Sequence, residues 1–126
     1  MRRLNIVKDE IGSLYKKIKE KIGTLVEVRT IDDRIIIGKL ASFNPEDGSI
    51  LLEKAIEKNR RIPSIYISGV AVAQINFFEK ENKEEEIDDK VAALLKVDPS
   101  LTYEEIAKIL DIPIQVAQRI VKRLMK

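Results

Sequence analysis

Residues 24–76 read TLVEVRTIDDRIIIGKLASFNPEDGSILLEKAIEKNRRIPSIYISGVAVAQIN. Runs rich in Val and Ile, parted by turn residues, predict five short strands over 24–31, 34–43, 49–56, 62–69 and 70–76. In the first, Val26 and Val28 fall on one face and Glu27 and Arg29 on the other. Asp32-Asp33 stands where a two-residue hairpin turn belongs, since Asp tolerates positive φ better than most residues. Ile35, Ile36 and Ile37 are consecutive, so both faces of the second strand are apolar. One face therefore needs a cover from outside its own sheet, either the helix that leads in or a neighbouring subunit. Gly38 inside that strand predicts a bend. Pro45 and Gly48 mark the next loop, and the charged stretch 57–61 reads as another. Gly69 permits an abrupt change of direction between the last two strands, which cannot pair as an ordinary hairpin. Each then leaves an open edge, and open edges invite another chain.

Upstream, Val7, Ile11, Leu14, Ile18 and Ile22 lie on one face of a helix that Gly23 is placed to end, with Lys16, Lys17, Lys19, Glu20 and Lys21 mostly on the other. Downstream, net charge changes sign: +4 over residues 1–78, −4 over 79–90 and +2 over 91–126. The organisation expected is a domain over 1–78, an extended acidic linker over 79–90 (EKENKEEEIDDK) and a small three-helix domain over 91–126. Ile87, Val91, Leu94 and Leu95 carry helical spacing, which Asp98-Pro99 stops. Thr102 and Glu105 form a capping box for the next helix, and Asp111 takes the following turn. The last helix opens at Ile112-Pro113, with Ala117, Ile120, Val121 and Leu124 facing inward. The string LTYEEIAKILDIPIQVAQRIVKRL resembles a helix-turn-helix unit, with Asp111 where Gly is usual.

The whole order resembles the Sm-like (LSm) family over about residues 10–78, and within it the archaeal members that carry C-terminal extensions. The first family motif is met by Val26, Val28, Asp33-Arg34, Gly38, Leu40, Phe43-Asn44, Ile50, Leu51, Glu53 and Ala55. The second is met by Ile65, Ile67, Ser68-Gly69, Val72 and Ile75. The resemblance implies a mainly β fold with added helices: an N-terminal helix, a five-stranded small barrel and a homo-oligomeric ring, a heptamer. It places the subunit contacts on Ile65, Tyr66, Ile67, Ala71, Val72, Ala73, Gln74 and Ile75. It places the uridine pocket at Asn44, then Glu46 or Asp47, then Gly48 or Ser49, and Ser68-Gly69. The pocket residues depart from the family pattern. Ser68 stands for an Arg that could stack on a base and neutralise phosphate, and the loop is acidic.

The 126 residues hold no Cys and no His, which excludes disulfides, zinc fingers, and thiol or imidazole catalysis. The serines lack an activating base, and no phosphate-binding Gly-rich loop is present. No enzyme activity, cofactor or metal is expected. With 35% charged residues and no long apolar run, a cytoplasmic protein without membrane contact is expected. The function expected is a ring-forming scaffold in RNA metabolism, part of a ribonucleoprotein, with its usual pocket degenerate. Two rivals stand beside it: a DNA-binding regulator that the barrel oligomerises, and a structural ring that gathers protein partners through its C-terminal helices. Gln115, Arg119, Lys122, Arg123 and Lys126 are the candidate nucleic-acid contacts of the last helix.

Overall fold

The computed structural model describes residues 15–125. A helix, α1, covers residues 15–20, and five strands follow: β1 (Leu25–Thr30), β2 (Ile35–Phe43), β3 (Ile50–Glu57), β4 (Arg60–Ile67) and β5 (Val72–Asn76). Three helices complete the chain: α2 (Lys83–Val97), α3 (Tyr103–Leu110) and α4 (Ile114–Leu124). The strands form one antiparallel sheet in the order β4-β3-β2-β1-β5. The last two strands are therefore its two opposite edges, as the tight passage at Gly69 predicts.

The sheet bends where its register slips. Between β2 and β3 the pairing shifts twice, beside Gly38 and beside Ala41. Opposite Gly38, Lys54 takes a positive φ of 51°, and a Cβ on Gly38 would lie 3.1 Å from the Ala55 Cα. A bulge of this kind twists and curves the sheet locally, and the missing side chain lets the two backbones close up. The concave side encloses one core: Val26, Val28, Ile36, Leu40, Ile50, Leu52, Ala55 and Ile67, with Ile18 of α1 packed onto it. Tyr15 lies against Phe43, ring centroids 6.0 Å apart.

A second core lies on the outer side. Leu25, Ile37, Ile56 and Phe78 pack with Val91 and Leu94 of α2, Ile106 and Ala107 of α3, and Ala117, Ile120 and Val121 of α4. Ile36 and Ile37 are both fully buried, one in each core. The cover that the Ile triplet demanded thus comes from α2–α4, and not from the leading helix or a neighbouring subunit. An ionic clamp reinforces the contact. Arg61 of β4 bonds the buried Asp98 carboxylate at the end of α2, and reaches Glu105 of α3 at 2.8 Å.

Four local expectations are corrected. The β1–β2 connection is the four-residue loop 31–34, closed by Thr30 N–H donating to Arg34 O at 2.9 Å, with Asp33 N–H donating to Thr30 O at 3.0 Å and Asp33 at φ 64°. The stretch 57–61 is largely strand, because Lys58 takes φ 54° and a Lys58-Asn59 turn suffices. The acidic run is not an extended linker. Asn82 caps α2 by accepting from the Glu84 amide, and Glu84, Glu85 and Glu86 sit in the first turn, where the helix dipole favours negative charge. Finally, Ile22 and Leu124 are exposed, at 42% and 40%, because each lies at or beyond its helix end. Val7, Ile11 and Leu14 lie outside the described residues.

Candidate nucleic-acid interface

The residues marked for a uridine pocket come from two loops that the fold brings to one corner. In the β2–β3 loop, Asn44 Oδ1 accepts from the Glu46 amide at 3.0 Å, and the Gly48 amide donates to Asn44 O at 2.8 Å. Asp47 Oδ1 accepts from both the amide and the hydroxyl of Ser49, at 2.9 and 2.7 Å. The Ser49 hydroxyl and amide hold the Asp47 carboxyl below the usual carboxylate range. The second loop is the single 3₁₀ turn Gly69–Ala71, closed by Ala71 N–H donating to Ser68 O at 2.9 Å. The loops touch at Gly69, where an added Cβ would stand 1.8 Å from the Asp47 carbonyl oxygen. Only glycine allows this approach, so Gly69 fixes Ser68 beside Asp47 and Gly48. Two of the polar groups in the corner, the Asn44 and Asp47 oxygens, serve the loop itself. Glu46 is exposed, and Ser68 is half-buried with no capping bond from its hydroxyl.

The subunit-contact candidates divide by exposure. Tyr66 on β4 is 63% exposed, and Ala73 and Gln74 on β5 are exposed. Ile65, Ala71, Val72 and Ile75 are half-buried. The Ile67 side chain is buried in the inner core. Sequence reasoning missed Val70 and Ile31, the two largest apolar exposures near these edges at 83% and 69%. Both sit in turns, where apolar periodicity has no meaning. A shallow depression lined by Ile31, Ile65, Tyr66, Ser68 and Ala71 runs between the β1–β2 tip and β4. The tip is held by Arg34, whose guanidinium donates twice to Glu57 at 2.6 Å and keeps that carboxyl below its ordinary range.

The helical part keeps its expected local chemistry. The Thr102 hydroxyl accepts from the Glu105 amide at 3.2 Å, and the Glu105 carboxylate accepts from the Thr102 amide at 3.3 Å. Asp111 ends α3 in the left-handed region, φ 56° and ψ 51°, and Pro113 starts α4. Gln115, Arg119 and Lys122 are exposed and line one depression with Gln118 and Arg123. Arg123 is engaged by Asp88 of α2. Lys126 lies outside the described residues.

No family model and no curated protein matches the chain. Solved structures do resemble it. The SmAP (LSm) protein of Methanococcus vannielii is 21% identical over 48% of this chain and 88% of its own, with a TM-score of 0.45. The SmAP1 heptamer of P. aerophilum is 28% identical over 51% of this chain and 90% of its own, TM-score 0.48. A heptameric archaeal Sm protein is also 28% identical, over 48% of this chain and 94% of its own, TM-score 0.45. The likeness spans about half of this chain. This chain itself combines a leading helix, a bent antiparallel sheet with β4 and β5 at its opposite edges, and a helical extension after the sheet.

Proposed function

We propose that this chain is the subunit of a homo-oligomeric Sm-like ring that serves as a non-enzymatic, RNA-associated scaffold. One observation carries the reading: among the described residues, β4 and β5 are unpaired edges of the same sheet, on opposite sides of it. A strand edge presents unpaired amides and carbonyls, and natural proteins cover such edges or use them. Two complementary edges on one subunit make a head-to-tail contact that closes into a ring when the rotation fits. Exposed Tyr66 and Val70 beside the edges add apolar area to such a contact. A ring of seven is the number that the family resemblance of the sequence implies. Light scattering or native mass measurement on the full chain tests the reading. A closed oligomer is expected, and a stable monomer at micromolar concentration overturns it.

The uridine pocket in this ring is degenerate in the same reading. Ser68 offers one neutral hydroxyl where an Arg would offer charge and a stacking plane, and Asn44 and Asp47 are engaged within their loop. Oligo-uridine should bind weakly, and Ser68→Arg should tighten it. Tight binding by the native chain, abolished by Asn44→Ala, is the contrary result.

A further inference from the structure

We infer that the exposed face of α4 is a second nucleic-acid surface, and that it takes duplex DNA in the major groove. The face is a single stripe. Gln115, Gln118, Arg119 and Lys122 follow one another at helical spacing, one side of a regular helix. Ala117, Ile120 and Val121 occupy the opposite side and are buried against α2 and α3. The stripe therefore points away from the body of the protein.

Its charge is of one sign. α4 contains no acidic residue, and Arg119 and Lys122 have no carboxylate partner among the described residues. Arg123 is drawn aside by Asp88, which leaves Arg119 and Lys122 as the two cations of the stripe. Asp88 on α2 is taken by Arg123, and Asp111 in the preceding turn pairs with neither of these two. Cations in this setting bind phosphate by releasing condensed counterions.

The chemistry of the stripe chooses among polyanions. It offers no aromatic side chain and a single guanidinium plane, that of Arg119, so it has no row of platforms on which successive single-stranded bases could stack. A helix about 10–12 Å across fits the B-DNA major groove, about 12 Å wide, whereas the major groove of duplex RNA is too narrow for side chains to read. Gln115 and Gln118 bring amides that can pair with an adenine edge. The mounting of α4 is rigid enough to hold it at one angle in a groove. The capped start of α3, the left-handed Asp111 and the shared core fix the angle between the two helices. With two cations per chain the affinity of one copy is low. Useful binding rests on the ring proposed above, which repeats the stripe and can raise avidity about 10²–10⁴-fold.

The full chain should be titrated by fluorescence anisotropy with a mixed-sequence DNA duplex, the matching RNA duplex and single-stranded RNA, at low and at near-physiological salt. The variant Arg119→Glu/Lys122→Glu is compared with Lys58→Glu/Lys96→Glu, which reverses two exposed charges elsewhere. The stripe variant should lose at least about 10-fold in affinity for duplex DNA and about 2 in the salt slope for each copy that engages the duplex, with binding of single-stranded RNA unchanged. The control should keep duplex affinity. Equal duplex affinity of stripe variant and native chain overturns the inference, as does a loss confined to RNA. Light scattering on the same samples separates the two proposals. A stripe variant that still assembles but no longer binds duplex supports the DNA surface. A native chain that is monomeric defeats the ring whatever the stripe does.

Discussion

Ending the chain after Phe78 should not release a free-standing barrel. The cut removes α2–α4, the cover of Leu25, Ile37 and Ile56, which are now 5%, 0% and 2% exposed. Burying a large apolar side chain contributes about 1.5–3 kcal/mol, so uncovering these three withdraws on the order of 5–9 kcal/mol. A small domain has in total only about 5–15 kcal/mol of stability, so most of it is gone. The truncated chain should aggregate or unfold, bind a dye for exposed apolar surface, and lose its cooperative thermal transition by circular dichroism. A point substitution makes the same test gently. Leu94→Ala empties a fully buried position in the outer core and should cost about 2–5 kcal/mol, lowering Tm by on the order of 10 °C. A truncated chain that stays dispersed, dye-silent and as heat-resistant as the full chain would refute the argument, because the helices would then be a tethered module and not a cover.

Gly69→Ala forces a methyl to within 1.8 Å of the Asp47 carbonyl oxygen, so the two loops must part. It should cost about 1–3 kcal/mol in urea unfolding, while Gly23→Ala, whose Cβ would meet nothing within 4 Å, tests the backbone term alone at its φ of 93°. Arg61→Ala leaves the buried Asp98 carboxylate with only its Ser100 bonds, and the half-open setting of Arg61 limits the expected loss to about 1–3 kcal/mol. Acid should also unfold the protein in a defined sense. Burial pushes Asp98 up, but the Ser100 hydroxyl and amide and the charge of Arg61 outweigh it, and Arg34 and Arg61 likewise hold Glu57 and Glu105 below the carboxylate range. Their stabilisation is full above the unfolded-state values, about 4, and is lost as pH falls through the lower folded ones, so Arg61→Ala should flatten the acid limb of a stability–pH curve.

Much of this architecture was legible because short-range chemistry and tertiary structure agree. Val26 and Val28 alternate and are buried, Thr102 and Glu105 form their box, and the open edges at β4 and β5 follow from the tight passage at Gly69. The Ile triplet announced a second buried face without saying what fills it, because a face records only that water is absent. Boundaries failed where charge misled. Arg60 and Arg61 read as loop, yet they open an edge strand that also tolerates Pro63, and the acidic run read as solvated linker although acids belong in a first helical turn. Asn44, Asp47 and Ser68 could be placed in their loops from the sequence. That the first two are spent on their own loop could be seen only in three dimensions, since Asx-type bonds depend on the turn actually formed.

The two-sided burial of β2 has a consequence during synthesis. The strands leave the ribosome before the helices that roof them. At about 5–20 residues per second, the stretch 79–124 takes roughly 2–9 s to follow. Through that interval Leu25, Ile37 and Ile56 face the cell uncovered on a sheet whose two edges are also open. Nascent chains on neighbouring ribosomes could then pair by those edges before the roof arrives, and the moment of helix docking, not of sheet formation, marks when a newborn chain no longer shows that apolar face.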